Sequence, residues 1–201
     1  LWAAGMHWDY SAVYTPSYYS NYTVTAIGKE SIEDAYGNER ETYLSRITSD
    51  NDVEGEKAYR WVDTETLLTL HTYWSDAPSE SSYFQEGTLG WDFTNTEGES
   101  TNLLDSDETS NLHFNRTNVI GVPGHPNGYD DTFNTVSITN DVWITTAAGN
   151  FSTTYISITD VEDGVVSWEL WYNDTVRNYV KIIDRLPGSH SDSKVSELTS
   201  F

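Results

Sequence analysis

The chain has 201 residues, 32 acidic side chains against 10 basic ones, a formal charge of −22 and no cysteine. That balance argues against nucleic acid, whose phosphates need Lys and Arg, and against an anionic membrane surface. The missing Cys removes disulfides, thiol catalysis, zinc–thiolate sites and a lipidated cysteine, and no apolar run reaches the roughly 18 residues of a membrane-spanning helix.

Leu1 to Ala26 differs from everything after it. It holds one charged residue, Asp9, and many rings, among them Trp2, Trp8, Tyr10, Tyr14, Tyr18 and Tyr19. We read 1–26 as an N-terminal aromatic arm. It is either a strand of its own domain or a donor strand that buries its rings in a neighbouring copy.

Residues 27–201 read as a single β domain. In repeat one, 27–74, strands are expected over Val24–Ile32, Thr42–Thr48, Ala58–Asp63 and Leu67–Trp74. Within Thr42–Thr48, Tyr43, Ser45 and Ile47 share one face. An irregular insert, 75–136, is punctuated by glycines. It has short strands over Gly90–Thr94 and Asn111–Ile120 and a loop over Val122–Asp131. Repeat two, 137–184, is expected to bring Val136–Thr145, Thr153–Thr159, Val165–Tyr172 and Tyr179–Ile183, with Asp163-Gly164 as a tight turn. In the tail, 185–201, Val195–Phe201 is placed to close the sheet. Period-two patterning dominates, so the expected fold is all-β. Antiparallel meanders in two related repeats would form an open barrel or a β-sandwich.

The repeats rest on a shared pattern. Gly37-Asn38 precedes Thr42-Tyr43-Leu44-Ser45, and Gly149-Asn150 precedes Thr154-Tyr155-Ile156-Ser157, 112 residues later. Trp61 and Trp171 follow, 110 apart. The pattern places Tyr43 where Tyr155 sits and Trp61 where Trp171 sits.

Four sequons, at Asn21, Asn115, Asn150 and Asn173, mark glycosylation acceptors of an exported glycoprotein. The chain begins at Leu1 rather than Met, which suggests that a leader has been removed. With the acidic balance, this favours an archaeal cell envelope, an extracellular setting at the cell surface. No cofactor is demanded. Asp50, Asp52 and Glu54 resemble half of an oxygen-donor calcium loop, with Gly55 in sixth place, but the twelfth position is Trp61 rather than Glu. An acidic hairpin is the simpler reading. The histidines show no metal spacing, and neither a Gly-x-Ser-x-Gly elbow nor a phosphate-binding glycine loop occurs.

Function follows from surface character. The leading reading is a non-enzymatic extracellular structural protein, a subunit of a filament, sheath or surface layer. Its partners are copies of itself, joined through Trp2, Trp8, Tyr10, Tyr14, Tyr18 and Tyr19. One alternative is a secreted binding module with an apolar or lipid ligand in an open β-barrel. Another is a polysaccharide hydrolase, whose carboxylate pair would meet only in space.

The second repeat also carries Ala148-Gly149-Asn150-Phe151, Tyr155, Trp171-Tyr172-Asn173-Asp174, Val176, Val180, Lys181 and Glu197-Leu198. On these residues it resembles secreted open-barrel β-proteins of the lipoprotein-carrier (LolA-like) type. The resemblance implies a half-barrel able to hold an acyl chain.

Overall fold

Where the sequence alternates, the backbone is extended. The strands are β1 (His7–Tyr14), β2 (Tyr18–Glu33), β3 (Glu39–Ser49), β4 (Lys57–Asp63), β5 (Thr69–Ser75), β6 (Phe84–Asn95), β7 (Ser110–Ile120), β8 (Gly128–Thr146), β9 (Gly149–Asp160), β10 (Val166–Asn173), β11 (Asn178–Arg185) and β12 (Ser193–Ser200). The structure, a computed structural model, describes residues 2–14, 18–50, 57–75, 84–95, 110–120, 128–162, 164–185 and 193–201. No helix occurs among the described residues.

The protein is all-β. The hydrogen-bonded order is β1-β12-β11-β10-β9-β8-β7-β6-β5-β4-β3-β2, a meander in one sheet rather than the two sheets of a sandwich. The insert expected over 75–136 is not a separate irregular region. It supplies β6, β7 and the first residues of β8. Glycines and polar residues hide the period there, while neighbouring strands on both sides supply the hydrogen bonds.

The chain divides into two compact units. Unit one is Leu1–His7, Thr23–Trp91 and Phe114–Thr132, and unit two is Trp8–Tyr22, Asp92–His113 and Phe133–Phe201. In unit one, Tyr43, Val62, Leu70 and Trp2 are buried, with the Trp2 and Tyr43 rings stacked at 5.0 Å. In unit two the core is Trp8, Tyr10, Ala12, Val136, Ile156, Ile158, Leu170, Val176, Val180 and Leu198.

The separate N-terminal arm gives way to an integral strand. β1 pairs antiparallel with β12 of its own chain, Tyr10 opposite Leu198, Ala12 opposite Ser196 and Tyr14 opposite Lys194. The Trp8 indole donates to the Val176 carbonyl at 2.9 Å, and the Tyr10 hydroxyl to the Tyr179 carbonyl at 2.7 Å. Tyr10 stacks on Tyr22 at 5.1 Å, and the Lys194 ammonium lies 4.7 Å from the Tyr22 centroid and 5.2 Å from that of Tyr14. Trp2, Trp8, Tyr10 and Tyr14 therefore serve their own chain. The boundary drawn at Ala26 falls inside β2. The physical reason is effective concentration: a partner edge on the same chain outcompetes one on another molecule. The tail is equally integral, with β12 between β11 and β1.

One hairpin design occurs in each unit. The β4–β5 ladder shifts register between Trp61 and Val62, and the β10–β11 ladder between Trp171 and Tyr172. Each turn opens on a side chain that caps it. Asp63 Oδ1 accepts the N–H groups of Glu65 and Thr66, both at 2.8 Å. Asn173 Oδ1 accepts those of Thr175 at 3.0 Å and Val176 at 2.9 Å. The fifth residue then takes a left-handed conformation, Leu67 at φ 56° and Arg177 at φ 58°. Its N–H returns to the first carbonyl, at 3.0 Å and 2.8 Å respectively. These are Asx turns, in which a short polar side chain stands in for backbone.

Trp61 and Trp171 occupy equivalent places, as expected. Tyr43 and Tyr155 do not. Tyr43 pairs with Val62 and is 1% exposed, while Leu44 pairs with Trp61. In unit two Tyr155 itself pairs with Trp171, and Ile156 takes the inward place opposite Leu170. The cause lies next door. β8 carries a bulge between Thr139 and Val142, with Asp141 at φ 58°. Opposite it, the buried residues of β9 switch from Phe151 and Thr153 to Ile156 and Ile158. A bulge re-aims side chains in this way, and a one-residue slip turns Tyr155 outward.

Candidate functional site

The outer face of unit two is built around Trp171. In β10, Leu170 and Tyr172 are buried, so alternation sends Glu169 and Trp171 outward. Register then sets a row across four strands: Tyr155 on β9, Trp171 on β10, Lys181 on β11 and Glu197 on β12. The Tyr155 and Trp171 rings lie 4.9 Å apart at 42°. The Lys181 ammonium sits 5.6 Å from the Trp171 centroid and 2.7 Å from Glu197 Oε1. Diagonal neighbours complete the set. The Tyr155 hydroxyl donates to Glu169 Oε1 at 2.8 Å, and Arg185 Nη1 lies 2.6 Å from Glu169 Oε2. Burial, and then the hydrogen bond to Glu169, raise the pKa of Tyr155 above the ordinary 10.0.

This row is suited to contact rather than to proton transfer. Both oxygens of Glu169 are engaged and Lys181 is paired, so neither stands ready as a base or nucleophile. What the face offers is ring surface with its charges locally balanced. Unit one has a counterpart. The Trp61 indole meets His71 edge-on at 4.7 Å and donates to the Glu30 carboxylate. Tyr59 lies 6.4 Å from Trp61 and 6.5 Å from Tyr73.

Beyond the β8 bulge lies a second outward feature. The Thr154 hydroxyl donates to Asn140 Oδ1 at 2.9 Å, and that of Ser152 to Asp141 Oδ1 at 3.4 Å. Next to them Trp143, opposite Ser152 in register, is 71% exposed. Asn150 pairs with Thr145, two residues along on each strand. Nothing in the repeat pattern singles out Trp143. Its alternation with Thr139 and Thr145 on the polar side of β8 is the signal that marks it.

The sequence-derived candidates fall as follows. Asn21 is exposed on β2, and Asn150 is exposed at the start of β9. Asn115 lies in β7, and its side chain is outside the described residues. Asn173 is half-buried and works within the fold, since beyond its turn cap its Nδ2 donates to the Ser152 carbonyl at 2.8 Å. Of the calcium candidates, Asp50 is exposed and accepts the Ser49 hydroxyl at 3.4 Å. Asp52 and Glu54 lie outside the described residues. Among the described residues no three metal-ligating side chains come together. Of the six assembly rings only Tyr18 and Tyr19 remain exposed.

No family model, curated protein or solved structure matches the chain. No helix among the described residues is long and apolar enough to cross a membrane.

Proposed function

We propose that this chain is a non-enzymatic structural protein of the cell exterior that associates with copies of itself through the surface of unit two. One observation carries the reading. Of eight large apolar side chains left exposed among the described residues, seven belong to unit two: Val13, Tyr18, Tyr19, Phe133, Trp143, Val161 and Phe201. Only Ile27 belongs to unit one. Phe133 and Val161 are neighbours, joined by a backbone hydrogen bond of 3.0 Å. Adjoining exposed apolar side chains, as Phe133 and Val161 are, are the kind of surface that marks a contact site.

The charge sets the condition for contact. Copies carrying −22 each repel one another, and the repulsion is felt over about 10 Å at 0.1 M salt but only about 3 Å at 1 M. Association is therefore expected in concentrated salt or with divalent cations. The side chains that meet a neighbour are Tyr18, Tyr19, Phe133 and Val161, in place of the inner rings of β1. Sequons and acidic composition support the extracellular setting. The carrier alternative has less behind it. Trp8, Tyr10 and Tyr22 are buried within unit two, and Trp8 and Tyr10 are tied to backbone carbonyls.

Light scattering across a salt series tests the proposal. The expected result is a monomer in dilute buffer and larger species near molar salt, with a weaker response in the Tyr19→Ser and Phe133→Ser variants. A monomer at every salt and calcium concentration overturns it.

A further inference from the structure

We infer that Asn150 carries an N-linked glycan and that Trp143 is the ring against which its first sugar rests. This rests on the reading of the chain as an exported glycoprotein and goes further, because it names the acceptor and the surface that receives the sugar.

Four sequons look alike in sequence, and the fold separates the two in unit two's β-hairpins. At Asn173 the whole carboxamide is in use. Its oxygen caps the β10–β11 turn through Thr175 and Val176, and its nitrogen donates to the Ser152 carbonyl. A transferase would have to pull the side chain out of the turn to reach that nitrogen. Asn150 is arranged in the opposite sense. It is exposed, the second residue of β9 after Gly149. Its oxygen takes the Thr145 hydroxyl at 2.7 Å, which orients the carboxamide on the outer face. Its Nδ2 donates to nothing among the described residues. The sequon hydroxyl, Ser152, lies on the same face.

Trp143 supplies the second half of the argument. It pairs with Ser152 while Asn150 pairs with Thr145, so Trp143 and Asn150 are diagonal neighbours, with roughly 7–8 Å expected between such positions. An indole spans that gap. A ring left 71% exposed in water is costly surface, and the C–H face of a pyranose would cover it while the sugar hydroxyls stay wet. Asn140, Thr154 and Asp141 around the bulge offer acceptors and hydroxyls beside the ring. A glycan seated there also withdraws Trp143 from self-association, leaving Tyr18, Tyr19, Phe133 and Val161 to meet a neighbour.

The chemistry is an ordinary amide glycosylation. A lipid-linked oligosaccharide phosphate gives its anomeric carbon to Asn150 Nδ2. The new N–C1 bond forms as the C1–O bond to phosphate breaks. The phosphate leaves with the bonding pair, and the amide nitrogen loses one of its two protons.

Glycopeptide mass spectrometry of the protein from its native cells is the test. The Asn150 peptide is expected to carry an oligosaccharide mass and the Asn173 peptide to be bare. Both Asn150→Gln and Ser152→Ala should lose that mass, the second while keeping the asparagine. Hydroxyl-radical footprinting then reads the ring, with Trp143 oxidised several-fold more slowly in the glycosylated protein than in Asn150→Gln. A bare Asn150, or a glycan on Asn173 in its place, overturns the assignment. Equal oxidation of Trp143 in the two forms overturns its role. Sugar found only on Asn21 or Asn115 sinks this inference and leaves the glycoprotein reading standing, whereas surface-exposed protein with no sugar on any sequon sinks both.

Discussion

The β4–β5 and β10–β11 hairpins share a bulge position, a capped turn and a left-handed fifth residue, yet their turn sequences, DTETLL and NDTVRN, have little in common. The strands that precede them behave in the reverse way. β3 and β9 both carry Thr-Tyr-aliphatic-Ser, and the tyrosine points inward in one and outward in the other. Likeness of backbone survives loss of sequence where a few local hydrogen bonds define it. Likeness of sequence fails to fix a face where a neighbouring strand decides the register. The bulge in β8 is what the second unit has and what moves Tyr155 to the surface.

The largest expected effect sits on that contrast. Tyr43→Ala should cost about 3–5 kcal/mol, as for emptying a large core site, and Tyr155→Ala about 1–2 kcal/mol, as for a half-buried ring that gives up one hydrogen bond. Urea unfolding of the two variants measures both, and equal costs would break the distinction between faces. The shared turns come next. Asp63→Ala and Asn173→Ala should each lose about 1 kcal/mol, on the scale of a lost side-chain cap. Thermal unfolding that shifts for one and leaves the other unchanged would show that the turns are alike in shape and not in energetics.

A sharper probe uses the left-handed residue. Arg177 is exposed, so Arg177→Gly should gain about 1 kcal/mol by relieving the Cβ clash. Leu67 is buried in the same conformation. Leu67→Gly should be net destabilising, because a buried leucine side chain contributes about 2 kcal/mol. Opposite signs in denaturant midpoints are the expected result. The smallest effect concerns Tyr155. Its phenol is held protonated above the ordinary 10.0, first by burial and then by Glu169. A raised folded pKa contributes stability below the unfolded value, and that contribution is lost as pH rises through the folded one. Tyr155→Phe should therefore flatten the alkaline fall in stability above pH 10.0, and an unchanged alkaline limb would remove the Tyr155–Glu169 bond from the account.

Much of the sheet was legible because alternation is a local property. β4, β7 and β10 begin and end within one residue of where period and turn residues place them. Of the expected Asp163-Gly164 turn, Asp163 lies outside the described residues, and Gly164 has φ 69° with its N–H bonded to the Asp160 carbonyl. The candidate site was less legible. Tyr155, Trp171 and Lys181 are visible as residues, but their row exists only through register across three strands. Trp143 looks like any strand tryptophan until its face is known.

By itself the sequence determined the class, the clearly alternating strands and the charge, since each depends on neighbours along the chain or on composition. Tertiary structure decided where β1 goes, which way Tyr155 points, which sequon amide is spent on a turn and which rings stay exposed. The physical reason is that a strand carries its side-chain period within itself but takes its partner, and therefore its outer face, from residues far away in the chain. Trp8 and Val176, 168 positions apart, are joined by a single hydrogen bond that no local pattern encodes.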